Sequence, residues 1–216
     1  MKMRETVNEN PLLAILRNVP DEILLEYADA IVAGGVNFFE VALNSDGAYE
    51  QIARLRDHFG DSVRLGAGTA ITLERARAAI SAGAEFLLSP STNEDVLELC
   101  ACQGIPMLPG ALTPTDVSVC VRYGFDTIKL FPAADMPMSY VKHLKGPFDG
   151  TEYVAIGGVN ADNMADFIKH GYIGVGLGSN ILPKDAVAAR DWCRATEYVE
   201  KLLRTINEAK SKGGRL

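Results

Sequence analysis

Histidine is scarce in this chain and long apolar runs are missing. Only three histidines occur in 216 residues, His58, His143 and His170, and they lie far apart. The four cysteines, Cys100, Cys102, Cys120 and Cys193, show neither a metal-finger nor a secreted-domain spacing; Cys100 and Cys102 form a bare C-x-C. No zinc site and no disulfide framework is expected, and reduced thiols in a cytoplasmic protein are the simple reading. No stretch approaches the ~18 apolar residues of a membrane span. The opening Met1-Lys2-Met3-Arg4-Glu5 is charged and leads into no apolar segment, so no export signal is expected. Basic clusters are also missing. Lys and Arg number 21 against 28 Asp and Glu, a net charge of −7, which argues against a nucleic-acid partner. An anion would have to be held locally, by backbone N–H groups or a few placed cations.

What is present is a repeated sentence of short apolar run, helical segment and glycine stop. Hydrophobic residues make up 48% of the chain, enough for a sizeable core. Strands are expected at residues 12–17, 36–43, 63–67, 86–88, 106–108, 127–131, 153–156 and 173–177. Helices are expected at residues 46–59, 73–82, 94–103, 115–123, 139–144 and 161–170, with another after Pro20-Asp21-Glu22 and a long amphipathic one over residues 186–209. Strict alternation predicts a parallel sheet with helices outside it, and eight units favour a closed (β/α)8 TIM barrel, with an open sheet of similar count as the alternative. No linker divides the chain. A single α/β domain over residues 11–209 is expected, after a polar lead-in at residues 1–10 and before a flexible charged tail at residues 210–216.

The unusual residue is Lys129, set within Asp126-Thr127-Ile128-Lys129-Leu130-Phe131-Pro132-Ala133. A parallel strand is covered on both faces, so a mid-strand lysine has its charge desolvated. Burial lowers its pKa and frees an amine able to attack a carbonyl. The other reading is a lysine at a strand end, reaching solvent past Pro132. Glu40, in Phe38-Phe39-Glu40-Val41-Ala42, is a second ionisable residue inside an apolar run. A buried carboxyl has a raised pKa and trades protons near neutral pH. An amine nucleophile with a proton shuttle is what imine chemistry needs; a structural ion pair is the alternative.

In such a barrel the chemistry sits at the C-terminal strand ends. The first strand ends in Arg17, which could hold a carboxylate or phosphate, or simply face water. The third ends Gly66-Ala67-Gly68-Thr69, where glycines permit close approach and Thr69 could bind an anion or carbonyl, or cap the next helix. Ser89-Pro90 and Leu108-Pro109-Gly110 shape loops. The last two strands end in Gly157-Gly158-Val159-Asn160 and Gly176-Leu177-Gly178-Ser179-Asn180. Glycine loops after the last two strands of a barrel expose backbone N–H groups suited to phosphate, with tight structural turns as the alternative.

Together, I-K-L-F-P-A around Lys129, F-E-V-A-L-N-S around Glu40, G-A-G-T at residues 66–69, Ser89-Pro90, Leu108-Pro109-Gly110, Gly157-Gly158-Val159 and Gly178-Ser179 resemble the KDPG/KHG aldolase family. These are class I aldolases cleaving 2-keto-3-deoxy-6-phospho sugar acids. The resemblance runs from about residue 11 to 182. It implies Lys129 as the Schiff-base lysine and Glu40 as the acid–base. It also implies a substrate site of Arg17, Thr69, Pro90, Gly157, Gly158, Gly178 and Ser179, no metal or other cofactor, and a cytoplasmic homotrimer acting on a phosphorylated keto acid. Ala14-Ile15-Leu16-Arg17 and Leu43-Asn44-Ser45 look like the 2-dehydro-3-deoxy-6-phosphogalactonate branch, with a KDPG or 4-hydroxy-2-oxoglutarate aldolase as the alternative. Where the gluconate branch has Leu-Arg-Thr, with the arginine on the pyruvate carboxylate, this chain has Asn44, and Arg17 is the implied substitute. A phosphate-binding barrel isomerase, or a barrel that binds a phosphorylated metabolite without catalysis, is the reading left if Lys129 only neutralises charge.

Overall fold

A computed structural model describes residues 2–213. Nine strands form one sheet: β1 Leu12–Leu16, β2 Phe38–Ala42, β3 Arg64–Gly68, β4 Phe86–Leu88, β5 Met107–Leu108, β6 Gly110–Ala111, β7 Thr127–Leu130, β8 Glu152–Ile156 and β9 Gly174–Leu177. Every pairing is parallel, in the order β5-β4-β3-β2-β1-β9-β8-β7-β6. The two ends of that order, β5 and β6, are consecutive in the chain, so the sheet curls into a nearly closed barrel and not an open sheet.

Nine strands replace the expected eight because Pro109 divides one of them. Proline has no N–H and interrupts a ladder. Before it, Leu108 is in register with Leu88 of β4; after it, Gly110 is in register with Lys129 of β7. The seam is held by the Lys129 N–H, which donates to the Pro109 carbonyl at 2.9 Å, and by the Gly110 N–H, which donates to Ser89 Oγ at 3.3 Å.

Helices α1 Met3–Glu9, α2 Leu24–Ala33, α3 Ala48–Phe59, α4 Leu73–Ser81, α5 Glu94–Gln103, α6 Pro114–Arg122, α7 Tyr140–Lys145, α8 Met164–Lys169, α9 Lys184–Ala189 and α10 Trp192–Gly213 accompany the sheet. The single long helix expected over residues 186–209 is two. Arg190 adopts a left-handed conformation (φ 52°), and Asp191 starts the second helix by accepting from the Arg194 N–H at 3.1 Å. The tail expected from residue 210 is helical as far as Gly213, and residues 214–216 lie outside the described residues. Among the described residues no helix is long and apolar enough to cross a membrane.

Side chains alternate across each strand. Leu12, Ala14 and Leu16 pack under the helices, whereas Leu13 and Ile15 join Phe38, Phe86 and Val154 in a second cluster inside the barrel. Met3 and Val7 of α1 belong to that interior cluster, so α1 plugs the N-terminal end of the barrel. The opposite, C-terminal rim carries the candidate site.

Candidate functional site

The alternation that puts Ile128 and Leu130 under the helices turns Lys129 inward, beside its register neighbour Val154. The same parity on β2 turns Glu40 inward with Phe38. Two ionisable side chains thus enter one apolar interior. Lys129 is 5% exposed and Glu40 is 1% exposed. Each feels the other. Burial pushes the Glu40 carboxyl up, against the pull of Lys129 and Arg17, which favour the anion. Burial pushes the Lys129 amine down; Glu40 opposes this and Arg17 reinforces it. Among the described residues the buried Glu40 Oε2 has no hydrogen-bond partner. The Lys129 ammonium lies over the Phe131 ring at 5.1 Å from its centroid.

Arg17 follows β1 directly. Its charge acts on both Glu40 and Lys129, and it lines a cleft of about 370 Å³ with Gly157, Gly158, Gly178 and Ser179, a cleft that neither of the buried pair lines. The strand end that carries Arg17 is fixed by Asn18, left-handed at φ 52°, whose N–H donates to Ser45 Oγ at 3.0 Å. Gly157 and Gly158 have φ of 94° and 72°, a region glycine enters without penalty. A Cβ at Gly157 would stand 3.0 Å from the Phe131 ring, so the Gly157 turn is packed on the same ring that faces Lys129.

Thr69 and Pro90 stand elsewhere on the rim. Thr69 caps no helix: that role falls to Thr72, which accepts from the Arg75 N–H at 3.2 Å. Thr69 instead adopts φ 64°, strained for a β-branched residue, and donates to Asn44 Oδ1 at 3.3 Å. Pro90 covers Gly110, whose Cβ would meet the Pro90 backbone at 2.3 Å. Three residues had no contact assigned to them from the sequence: Phe131 beneath the amine, Asn44 bonded to Thr69, and Gly68 against the Glu40 carboxylate. The tripeptide G-A-G carried a signal for close approach, but not what approaches. Among the described residues no group of three His, Cys, Asp or Glu side chains could hold a metal ion.

Residues 3–198 match the family model for KDPG and KHG aldolases. This chain belongs to that family. As a member of the KDPG and KHG aldolases it is a carbon–carbon lyase. It is 32% identical over 203 residues to the 2-dehydro-3-deoxy-phosphogluconate aldolase of Treponema pallidum, covering 94% of this chain and 95% of that one. It is 30% identical over 192 residues to the 2-dehydro-3-deoxy-6-phosphogalactonate aldolase of Escherichia coli K12, covering 88% and 93%. Among solved structures, it superposes with a TM-score of 0.85 and 28% identity on the KDPG aldolase of Legionella pneumophila, which holds pyruvate captured as a covalent carbinolamine, over 94% of this chain and 98% of that one.

Proposed function

We propose that this aldolase is a class I enzyme that cleaves a 2-keto-3-deoxy-6-phospho sugar acid, 2-dehydro-3-deoxy-6-phosphogalactonate, to pyruvate and glyceraldehyde 3-phosphate. The observation that carries the reading is the inward-facing pair of Lys129 and Glu40 in an apolar interior, with the amine pushed down and the carboxyl pushed up. A lysine so placed gives up its proton more readily than an exposed one, and the free amine is the nucleophile. It attacks the C2 carbonyl to give a carbinolamine, and loss of water leaves a protonated imine. The covalent carbinolamine of the Legionella relative supports that step here. The iminium draws in the electron pair of the C3–C4 bond as Glu40, through a water, takes the C4 hydroxyl proton. The aldehyde leaves and an enamine of pyruvate remains. Glu40 returns the proton to C3, and hydrolysis frees Lys129. One carboxyl serving as base and then acid suits a raised pKa.

Arg17 and Thr69 hold the substrate carboxylate in this reading, Pro90 closes that side, and Gly157, Gly158, Gly178 and Ser179 hold the distal phosphate. The cleft that Arg17 shares with the four loop residues supports their part in it, while Thr69 and Pro90 stand outside that cleft. Ala14-Ile15-Leu16-Arg17 and Leu43-Asn44-Ser45 favour the galactonate substrate, while the similarity to the Treponema enzyme keeps the gluconate epimer as the second reading. As in the family resemblance, the enzyme works as a cytoplasmic homotrimer, which sedimentation checks.

The test is incubation with pyruvate, borohydride reduction and peptide mass spectrometry. A pyruvyl adduct on Lys129, lost in Lys129→Ala, is expected. A folded protein that gives no adduct overturns the Schiff-base reading. Turnover of the two epimers, measured side by side, settles the substrate.

A further inference from the structure

We infer that Gly68 is a positioning residue for Glu40, present because the carboxylate lies across its Cα. This deepens the reading of Glu40 as the proton shuttle and rests on it. Glu40 is in register with Gly66, yet its side chain leans along the strand toward the rim and over the next inward-facing residue of β3, Gly68. A Cβ built on Gly68 would stand 1.5 Å from Glu40 Oε1, 2.2 Å from Cδ and 2.8 Å from Cγ. Nothing else calls for glycine there. The backbone is ordinary extended strand without positive φ, Gly68 pairs with Ala42, and its carbonyl accepts from the Leu43 N–H at 2.9 Å. Any small residue would serve the ladder.

Gly66, two residues earlier on the same face, has a different tenant. Its Cβ would meet the Phe86 ring at 2.3 Å, and Phe86 packs on Phe38 at 5.1 Å in the apolar interior. The two glycines of G-A-G therefore divide the work. Gly66 admits a core aromatic, and Gly68 admits the reacting carboxylate. Among the described residues no hydrogen bond is made to the buried Oε2, so packing on Gly68 and not a bond at that oxygen sets how the carboxylate lies. A methyl group at residue 68 must swing the carboxylate away. The far end of a glutamate turns at small energetic cost, so the damage falls on geometry more than on stability. A misplacement of about 1 Å can cost on the order of 100-fold in rate.

The experiment compares Gly68→Ala, Gly66→Ala, Glu40→Gln and the double variant Gly68→Ala/Glu40→Gln, each as a folded enzyme. Gly68→Ala is expected to lower kcat on the order of 100-fold with KM within about threefold, to shift the limb of the pH profile assigned to Glu40, and to keep the pyruvate adduct on Lys129. The double variant is expected to be no slower than Glu40→Gln alone. Gly66→Ala is expected to lower the melting temperature while keeping its activity per folded molecule. A Gly68→Ala enzyme with wild-type kcat beside a slow Glu40→Gln overturns the inference and leaves the Glu40 reading intact. So does a double variant whose losses multiply. A Glu40→Gln enzyme of wild-type rate overturns the Glu40 reading itself. If Gly68→Ala fails to fold, Gly68→Ala/Glu40→Ala decides: it is expected to fold with the melting temperature of Glu40→Ala, and a double variant that also fails to fold overturns the inference.

Discussion

Replacing Phe131 with leucine tests the electrostatics of the buried amine directly. The Phe131 ring centroid lies 5.1 Å from Lys129 Nζ, and Lys129 is 5% exposed. A ring face favours the ammonium over the free amine by about 1–2 kcal/mol once the pair is desolvated. Leucine keeps an apolar body against Gly157 but removes the quadrupole. The Phe131→Leu enzyme loses that support for the charged form, while burial and Arg17 still push the amine down. More free amine is then present at any pH on the acid limb. With RT near 0.6 kcal/mol, 1–2 kcal/mol corresponds to roughly 5- to 30-fold faster adduct formation there, relative to the plateau. The assay is the initial rate of reductive trapping with pyruvate as a function of pH, each enzyme normalised to its own plateau. Normalisation removes any loss from a shifted Gly157 turn, which would change substrate affinity at all pH values. An acid limb that stays in place, or moves to higher pH, would refute the assignment of the ring as a partner of the ammonium.

The Glu40→Gln substitution is expected to slow cleavage by about 10²–10⁴-fold, the usual worth of a positioned acid–base group. It also has a signature in stability. A carboxyl whose folded pKa is raised binds more protons folded than unfolded, so the wild type loses stability relative to Glu40→Gln as pH rises from the ordinary carboxylate range through the raised value. Chemical denaturation of both proteins across that window, with no difference in slope, would contradict the shift. For Gly157→Ala, φ of 94° and a Cβ 3.0 Å from Phe131 and Pro132 predict a loss of about 1–3 kcal/mol in urea unfolding, together with a raised KM for the phosphorylated substrate. Ser89 is fully buried and ties the Gly110 N–H to the Ser91 carbonyl across the seam at Pro109. The Ser89→Ala variant leaves that N–H unsatisfied and is expected to lose about 1–3 kcal/mol of stability, read from the same unfolding experiment.

Much of this architecture is local and so was written in the sequence. Glycine stops and the alternation of apolar runs with helical periods place most elements within a few residues, because each run is long enough to show its period. Glu40 and Lys129 stood out for the same reason: a charge inside an apolar strand is visible without knowing its partner. Their inward direction follows from the two-residue period of a strand, but that they enter the same interior is a property of the closing sheet. Pro109 was legible as a loop former, yet only the barrel shows that it lets one strand pair with β4 before it and β7 after it. Arg190 gave no local sign that a helix would break there, where its N–H closes on the Val187 carbonyl and the Asp191 N–H on that of Ala186; Asp191, a ready cap, was the available clue.

The site divides along the same line. Glycine loops after the last two strands pointed to a cleft, and Arg17 to an anchor, because strand ends of a parallel barrel share one rim. Thr69 could be read as a helix cap or a ligand, and only its left-handed turn toward Asn44 removes the cap. Gly68 was a glycine among several until the Glu40 carboxylate was seen lying on it. The sequence by itself determined which ionisable groups lie inside apolar strands and which strand each rides on, since those depend on residue type and short-range period. The tertiary structure alone decided which of them meet, how far burial shifts the amine and the carboxyl, and which neighbour holds each in place, because burial and contact arise only when strands distant in the chain close around one interior.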